Sequence, residues 1–481
     1  MNMKILFINP PFLSSFSRSQ RSPGVTKGGT IYYPYWLGYA AGLAEKNGFE
    51  IKLMDCAVKD VPLRSTIDEI ERYSPSLIVV DSSTPSIYND VEFADNLKRS
   101  LPSSYILLVG THPSALPEET LKISGGGVDA IAIGEYDVTV SELAQTISGK
   151  RDPNDIAGLY TRKGFTPARK HLEDLDILPF ISSIYKRFLD INDYYFAASD
   201  HPMVMMITGR GCPYGCFFCV YPQTMHGKKY RQRSARNVVD EFKYVRKELP
   251  RVREIVIEDD TFTVDTKRVR EICRLLIEEN VRMKWSCNVR VNLDLETMRL
   301  MKKAGCRLLI VGYESGSQKV LDGMKKKIRL EESRSFAENA RKAGLLVHGC
   351  FMVGNPGETK ETMRQTFDFA VELDCDSAQF YPLYIYPGTE AYEWAKNECM
   401  IKKDVTYRDW LTASGKHNAI LDMPGISARE MIEFCDKAYL RFHLRPRYIL
   451  KKLVQLFTSP SEGIRSLRSA LNFIAGSIHG K

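Results

Sequence analysis

Short apolar runs alternate with helical patterns through the first 150 residues of the chain. Residues 35–46 have helical spacing and end at Asn47-Gly48, where a left-handed cap is expected. Continuous apolar runs between helical segments are typical of a parallel sheet covered on both faces. We therefore predict a doubly wound α/β domain over residues 1–150. The predicted strands are 4–9, 49–54, 76–80, 105–109 and 128–133.

The alternation returns at residues 201–389, after a stretch of scattered turn residues at 151–200 that we predict to be an ordered connector. Two helical patterns end alike, in Lys302-Lys303-Ala304-Gly305 and Arg341-Lys342-Ala343-Gly344. Basic residues in the last turn offset the helix dipole, and the glycine takes a left-handed cap. The recurrence predicts repeated strand–helix units, and hence a barrel or partial barrel. Residues 390–481 form a third region, which we predict to be helical.

Three cysteines lie close together in a loop flanked by glycines and one proline. Cys212, Cys216 and Cys219 follow the first strand of the second region, at the carboxyl-end mouth where barrels place their chemistry. Three thiolates can hold three irons of a 4Fe-4S cluster and leave one iron open to a ligand. The alternatives are three unrelated thiols and a zinc knuckle with His226 as the nearest spare ligand. Zinc sites usually pair two cysteine hooks, and only one hook is present.

Charged residues stand at or near the ends of other strands in this region. Glu258, Asp259 and Asp260 are consecutive, and such acids repel one another unless a cation lies nearby. A solvated turn before a helix is the alternative for them. Arg290 alternates with apolar side chains, so it points into a polar cavity or lies near a strand end in water. Glu314 follows an entirely apolar strand.

Composition narrows the class of protein only slightly. The 481 residues are 44% hydrophobic and 26% charged, which is ordinary for a globular protein of two or three domains. The apolar run at the amino terminus breaks at Asn9-Pro10-Pro11, and no stretch is long enough to span a membrane. Eleven cysteines without a secretory signal favour reduced thiols and metal ligation. We therefore expect a cytoplasmic protein.

The cysteine loop, the aromatic Phe218 before its last cysteine, and the preceding apolar strand resemble those of the radical S-adenosylmethionine (SAM) enzymes. The resemblance implies a partial (β/α)6 barrel in which Cys212, Cys216 and Cys219 hold the cluster. Its open iron would chelate SAM, and an electron from a donor such as flavodoxin or ferredoxin would release a 5'-deoxyadenosyl radical. The residues that the resemblance places at SAM are Phe218, Glu258, Asp259, Asp260, Arg290, Glu314 and Gly354.

The first 150 residues resemble the cobalamin-binding domain that precedes many radical SAM domains. The matching pieces are the loop Gly110-Thr111-His112-Pro113 and the later Gly134-Glu135. The Asp-x-His-x-x-Gly motif that supplies a histidine to cobalt is absent, so a histidine is not expected at the lower face. A degenerate domain that only packs is one alternative, and a nucleotide site without GxGxxG is another. The residues implied at cobalamin are Thr84, Gly110, Thr111, His112, Gly134 and Glu135.

Basic and apolar residues interleave in the carboxyl-terminal region, from Arg441 to Leu453. This composition suits a helix on the inner, anionic face of a membrane, or a surface helix covering the barrel. Nucleic acid is not expected as a partner, because no RNA-binding module is recognisable.

Four runs in the barrel resemble the hopanoid-biosynthesis branch of the radical SAM family. We therefore expect methylation or rearrangement at an unactivated carbon of a small-molecule or lipid substrate. The alternatives are a tRNA-modifying radical SAM enzyme and a non-catalytic metal- or corrinoid-binding protein. The sequence assigns no catalytic residue. The four runs are 208–212, 258–263, 285–288 and 311–316.

Overall fold

The computed structural model describes residues 3–458, 462, 463 and 465. Seven strands form the first sheet, in the order β2-β1-β3-β4-β5-β6-β7, and β1 to β5 are parallel. This order reverses direction at β1 and β3, where such sheets open a ligand crevice at the carboxyl ends. The strands are β1 (Lys4–Asn9), β2 (Glu50–Asp55), β3 (Leu77–Ser82), β4 (Tyr105–Gly110), β5 (Ala130–Ala132), β6 (Leu159–Thr161) and β7 (Gly164–Phe165).

Alternate side chains of β1 enter two different cores, which explains why the strand reads as continuously apolar. Ile5 and Phe7 belong to a core on one face of the sheet, and Leu6 and Ile8 to a core on the other. The predicted doubly wound domain is thereby confirmed. Its helices are α1 (Tyr35–Lys46), α2 (Leu63–Tyr73), α3 (Ile87–Ser100), α4 (Thr111–Ala115), α5 (Pro117–Ile123) and α6 (Asp137–Ser148).

The stretch 151–200 holds more regular structure than its sequence pattern indicated. Strands β6 and β7 lie within it and extend the first sheet by an antiparallel edge. Helix α7 (Ile181–Phe188) also lies there, and Ile181 and Tyr185 pack beneath Gly38 of α1. Strands of two or three residues are too short to give a readable alternation in the sequence.

Six parallel strands form the second sheet, in the order β8-β11-β12-β13-β14-β15, as expected of a partial (β/α)6 barrel. A separate two-stranded ribbon joins β9 and β10. The strands are β8 (Met203–Met206), β9 (Gly209–Arg210), β10 (Arg231–Gln232), β11 (Glu254–Ile257), β12 (Lys284–Val289), β13 (Cys306–Glu314), β14 (Leu346–Val353) and β15 (Ser377–Pro382).

Helices cover the outside of this sheet, and several begin at a residue whose side chain caps the first turn. Ser234, Asp265 and Asp294 each accept a hydrogen bond from a backbone N–H of the helix that follows. All the α-helices of this region are α8 (Val220–Thr224), α9 (Ala235–Glu248), α10 (Thr266–Glu278), α11 (Leu295–Lys303), α12 (Gln318–Gly323), α13 (Leu330–Ala343), α14 (Lys360–Leu373) and α15 (Glu390–Asn397).

The described part of the carboxyl-terminal region packs against both domains. Helix α16 (Ala428–His443) lies against β15, and α17 (Pro446–Thr458) follows it. A 3-10 turn, Tyr407–Trp410, precedes α16 in the chain. Most residues after 458 lie outside the described part of the chain, so the prediction for them is not addressed. No helix among the described residues is long and apolar enough to cross a membrane.

Candidate functional site

The loop of the three cysteines is fixed by hydrogen bonds to its backbone. Gln223, in α8, donates to the carbonyl oxygens of Cys216, Phe217 and Cys219. Gly211 has φ +85°, and a Cβ there would lie 2.2 Å from the carbonyl oxygen of Lys229, so only glycine fits. Gly211 connects β9 to the first cysteine, Cys212, and its left-handed conformation sets the direction of the loop.

The donor set of the loop fits a three-cysteine cluster better than a zinc knuckle. Among the described residues, no group of three or more His, Cys, Asp or Glu side chains is arranged to hold a single metal ion. A 4Fe-4S cluster takes each of three thiolates on a separate iron, whereas zinc needs four ligands around one ion. His226, the fourth ligand of the zinc alternative, is instead paired with Asp260, at 3.2 Å. Burial raises the pKa of Cys212 and Cys219, so a bound metal would displace their protons.

Two of the three acids after β11 hold the protein together. Asp259 accepts hydrogen bonds from the backbone N–H and the hydroxyl of Thr208, at 2.5 and 2.6 Å, and burial raises its pKa to about 6. Asp260 accepts from the N–H of Gly211, at 3.2 Å. Burial would raise the pKa of Asp260, but the hydrogen bond with His226 outweighs it and holds that pKa low. Both carboxylates therefore brace the cysteine loop.

The third acid, Glu258, meets a cation from the first domain. Arg21 lies in the β1–α1 loop (residues 10–34) and reaches Glu258 Oε1 at 2.7 Å. It also donates to the backbone carbonyl of Asp259, at 2.8 Å. Burial raises the pKa of Glu258 although Arg21 opposes this. The cation that three adjacent acids require is thus supplied from 237 residues away.

Arg290 points toward the cysteine loop. Its guanidinium lies 3.8 Å from Cys216 Sγ and 3.8 Å from the centre of the Tyr214 ring. It also donates to the backbone carbonyl of Lys326. Of the two orientations left open by the sequence, the structure shows the one directed into the site, where a fixed positive charge faces the sulfur.

Glu314 ends β13 in a backbone conformation that is rare for its residue type. Its φ is +64°, and the register of β13 with β14 shifts at this point. Its carboxylate pairs with Lys326 at 2.7 Å, and both side chains are buried. A Cβ on Gly312 would lie 2.3 Å from Glu314 Oε1 and 2.8 Å from Lys326 Nζ. The glycine therefore leaves the space in which this ion pair sits.

The other two residues that the sequence placed at SAM are less directly involved in this group. Phe218 is half-buried and packs edge-on against Phe217, with ring centres 6.2 Å apart. Gly354 has φ +93° and donates its N–H to Glu358 at 3.0 Å. A Cβ on Gly354 would lie 2.5 Å from Met431 Sδ, so the close approach seen there is with α16.

The carboxyl edge of the first sheet carries polar atoms that lack partners. Asn9 ends β1, Ser82 ends β3, His112 follows β4 and Tyr136 follows β5. Each has a buried side-chain atom without a hydrogen-bond partner, namely Asn9 Oδ1, Ser82 Oγ, His112 Nε2 and Tyr136 OH. Buried polar atoms are nearly always satisfied in folded proteins. Four such atoms along one edge fit a large ligand rich in hydrogen-bonding groups, as a corrin with its amide side chains is.

The loops at this edge place four of the six predicted cobalamin residues together. His112 Nδ1 lies 3.2 Å from the Thr84 hydroxyl, and burial lowers the pKa of His112 to about 3, so the ring is neutral. Gly110 has φ +119°, and a Cβ there would lie 2.0 Å from the carbonyl oxygen of Ser82. Thr111 begins α4 directly after it. Tyr407, from the carboxyl-terminal region, packs edge-on against His112 at 4.5 Å.

The side chains of Glu135 and Asp137 face the barrel rather than this edge. Both carboxylate oxygens of Glu135 pair with Arg231, and Asp137 pairs with Arg210 at 2.6 Å. All four side chains are at most 7% exposed. Gly134 lies near the backbone of Met225. A Cβ on Gly134 would be 3.3 Å from the carbonyl oxygen of Met225. Since Arg210 and Arg231 form the ribbon beside the cysteines, the segment from Gly134 to Asp137 joins the first domain to the cysteine loop.

Comparison with known protein families matches two parts of the chain. Residues 21–144 match the B12 binding domain, and residues 206–370 match the Radical SAM superfamily. The chain joins a B12 binding domain to a radical SAM domain. The radical SAM domain implies a 4Fe-4S cluster and SAM as cofactors, and the B12 binding domain implies cobalamin. The enzyme class and the cofactors predicted from the sequence are thereby confirmed.

Three similar proteins cover most of the chain. An uncharacterised methyltransferase of Pyrococcus horikoshii is 28% identical over 94% of this chain and 95% of that protein. The cytidylyl-2-hydroxyethylphosphonate methyltransferase of Streptomyces wedmorensis is 25% identical over 86% of each. The solved structure of the radical SAM methyltransferase TsrM from Kitasatospora setae, with cobalamin and a 4Fe-4S cluster bound, has a TM-score of 0.70 at 19% identity. It covers 99% of this chain and 100% of that chain, so both domains share their fold with it.

The expected closeness to hopanoid enzymes is supported only weakly. The hopanoid C-3 methylase of Methylococcus capsulatus is 23% identical over 75% of this chain and 68% of that protein. This identity is lower than those of the proteins from P. horikoshii and S. wedmorensis, so the likeness does not single out a hopanoid substrate.

Sequence reasoning missed three residues of the radical SAM domain site. Arg21, Tyr214 and Lys326 each contact a residue that was predicted, namely Glu258, Arg290 and Glu314. Of these three, only Arg21 could have been anticipated from the sequence, because three consecutive acids indicate a nearby cation. The sequence does not indicate where in the chain that cation lies.

Proposed function

We propose that this protein is a cobalamin-dependent radical SAM methyltransferase. The observation that carries the proposal is that a three-cysteine loop at the mouth of the barrel is tied, through buried ion pairs, to a domain whose ligand edge holds four unpartnered polar atoms. When bound, the cluster supplies the electron that cleaves SAM, and cobalamin supplies the methyl group. The printed names of several similar proteins, among them those from P. horikoshii and S. wedmorensis, describe methyltransferases.

The residues of this chain divide the work as follows. We assign Cys212, Cys216 and Cys219 to the cluster. Glu258 and Glu314 supply buried carboxylates for the SAM ammonium group, while Arg290 supplies a cation for its carboxylate. Asp259 and Asp260 hold the loop in place through Thr208 and Gly211, and Phe218 and Gly354 shape the walls.

At the other edge, Asn9, Ser82, His112 and Tyr136 would bind cobalamin through the atoms that now lack partners. Thr84 orients His112, and Gly110 permits the close approach of the ends of β3 and β4. We assign Thr111 and the backbone of Gly134 to the wall of the same site. Glu135 contributes indirectly, because its carboxylate is held by Arg231.

The substrate we propose is a small molecule or a lipid with an unactivated carbon, and a hopanoid is one member of that class. Rearrangement without methyl transfer is the second possible reaction. An electron donor such as flavodoxin or ferredoxin would serve the cluster.

The test is to purify the protein without oxygen from cells supplied with cobalamin, and to measure iron, cobalt and SAM turnover. We expect about four irons per chain, one cobalt, and formation of 5'-deoxyadenosine and S-adenosylhomocysteine. Iron without cobalt would remove methyl transfer from the proposal, and cobalt without iron would remove the radical chemistry. Both metals without any SAM turnover would favour a binding protein that does not catalyse.

A further inference from the structure

Exposed large apolar side chains concentrate in the last helices that the structure describes. Seven of the ten such side chains among the described residues lie between residues 440 and 457. The most exposed of them, Phe457, has 85% of its surface accessible. We name the set the apolar ridge. It consists of Leu440, Leu444, Ile449, Leu450, Leu453, Val454 and Phe457.

Helix α17 turns its polar side toward the protein and its apolar side away from it. Tyr448 is buried and donates its hydroxyl to the carbonyl oxygen of Asp376, at 3.0 Å, and Lys451 pairs with the Asp376 carboxylate at 2.9 Å. Lys452 lies over the Tyr448 ring. The exposed residues 450, 453, 454 and 457 follow the spacing of one helix face. A helix that merely covers a barrel would have the opposite polarity, with its apolar stripe inward.

Basic residues outnumber acids around the apolar ridge. Residues 437–461 contain no Asp or Glu and six basic residues. Two acids of the barrel lie against them, Asp374 and Asp376, and offset part of this charge. Arg447 is still 84% exposed, and Lys437, which lies 3.8 Å from the Glu433 carboxylate, is 73% exposed. A second copy of the same surface would bring the same positive charge against it, so self-association through this face is opposed by repulsion.

We infer that the apolar ridge is a docking surface for an anionic lipid bilayer. Apolar side chains on one face of a helix enter the boundary between headgroups and acyl chains, while neighbouring basic residues meet the anionic headgroups. An exposed apolar patch of this extent is otherwise a liability for a globular protein. This inference does not depend on the proposed reaction.

The test is sedimentation of the full-length protein with two kinds of vesicle, one of phosphatidylcholine alone and one that also contains phosphatidylglycerol. We expect binding to the anionic vesicles that weakens as salt is raised. Leu453→Ser combined with Phe457→Ser should lower the partition coefficient by about tenfold or more. Both side chains are exposed, so the fold is expected to survive. Phe165→Ser, which removes an apolar side chain 69% exposed on the first sheet, is the matched control.

Three results would overturn the inference. The first is a wild-type protein that does not sediment with anionic vesicles at low salt. The second is a loss of binding in Phe165→Ser as large as in the double variant. The third, read by analytical ultracentrifugation, is a wild-type dimer that the double variant converts to a monomer, which would assign the apolar ridge to a second copy of the chain.

Discussion

The carboxyl edges of the two sheets differ in whether their buried polar groups are paired within the protein. At the radical SAM edge the charged side chains are paired within the protein: Glu258 with Arg21 and Glu314 with Lys326. At the B12 edge, four buried polar atoms have no partner. The charged pairs of the first edge are formed before any cofactor arrives, whereas the four polar atoms of the second require a ligand to satisfy them. The contrast indicates that cobalamin contributes more to the stability of its domain than SAM does to that of its own.

The largest effect is expected from removing a cluster ligand. Cys216→Ala should abolish SAM cleavage, because two thiolates cannot retain the cluster. Production of 5'-deoxyadenosine by the anaerobically reconstituted protein measures this. Cys399→Ala, at an exposed cysteine, should retain full activity. Cleavage by the Cys216 variant would contradict the assignment of the loop, while unchanged cobalamin binding would show that the first domain is intact.

Breaking an ion pair at the preassembled edge should cost stability even without cofactors. Lys326→Met leaves the carboxylate of Glu314 buried and alone, and we expect the free energy of unfolding to fall by about 3–5 kcal/mol. Lys325→Met removes the neighbouring lysine, which is 56% exposed and pairs with Glu390, and should cost less than about 1 kcal/mol. Urea unfolding of the apoprotein compares the two. Equal losses would show that this edge is not held by its buried pair.

The pH dependence of stability should report the neutral ring at the B12 edge. The pKa of His112 is lowered to about 3 in the folded protein, so between about pH 3 and pH 6.5 the unfolded state binds the extra proton. The neutral His112 ring therefore makes its full contribution to the free energy of unfolding above pH 6.5, and that contribution is lost as the pH falls. Between pH 7 and pH 5 the loss is about 2 kcal/mol.

His112→Asn should remove that part of the slope. Buried His348 and His443, each with a pKa lowered to about 4, would still contribute a slope of the same sign. An unchanged slope in the variant, measured by unfolding at several pH values, would show that burial of His112 does not control it.

The smallest effect on stability is expected from removing one of the unpartnered hydroxyls at the B12 edge, and it tests the comparison of the two edges most directly. Ser82→Ala removes a hydroxyl that has no partner, so apoprotein stability should stay within about 1 kcal/mol, while cobalamin should bind several-fold more weakly. Ser104→Ala, at the opposite edge of the same sheet, removes a hydroxyl that donates to the carbonyl of Pro75 at 2.7 Å. It should destabilise the apoprotein and leave cobalamin affinity unchanged. Titration of the apoprotein with hydroxocobalamin tests both, and the reverse pattern would refute the assignment.

The fold and the cysteine loop could be predicted from the sequence, because both depend on neighbours in the chain. Alternation of apolar runs predicted both sheets, and the spacing of Cys212, Cys216 and Cys219 indicated the cluster. The partners of the charged residues could not be predicted. Arg21 and Glu258 are brought together by the packing of two domains, and no local pattern records that. The pairing of Glu135 with Arg231 is also long-range. The sequence therefore showed no sign of it, and Glu135 was expected at cobalamin.

The pairing of Glu135 and Asp137 with Arg231 and Arg210 also bears on how the enzyme can be divided in the laboratory. Expressing the barrel without its amino-terminal half would leave two arginines, each about 1% exposed, without their carboxylates beside the cysteines. Such a fragment would carry two cations without the carboxylates that neutralise them, next to the site where the cluster must assemble. Gene designs that aim at a minimal catalytic core should therefore keep residues from Gly134 to Asp137, and mixing separately made halves is expected to give poor recovery of iron.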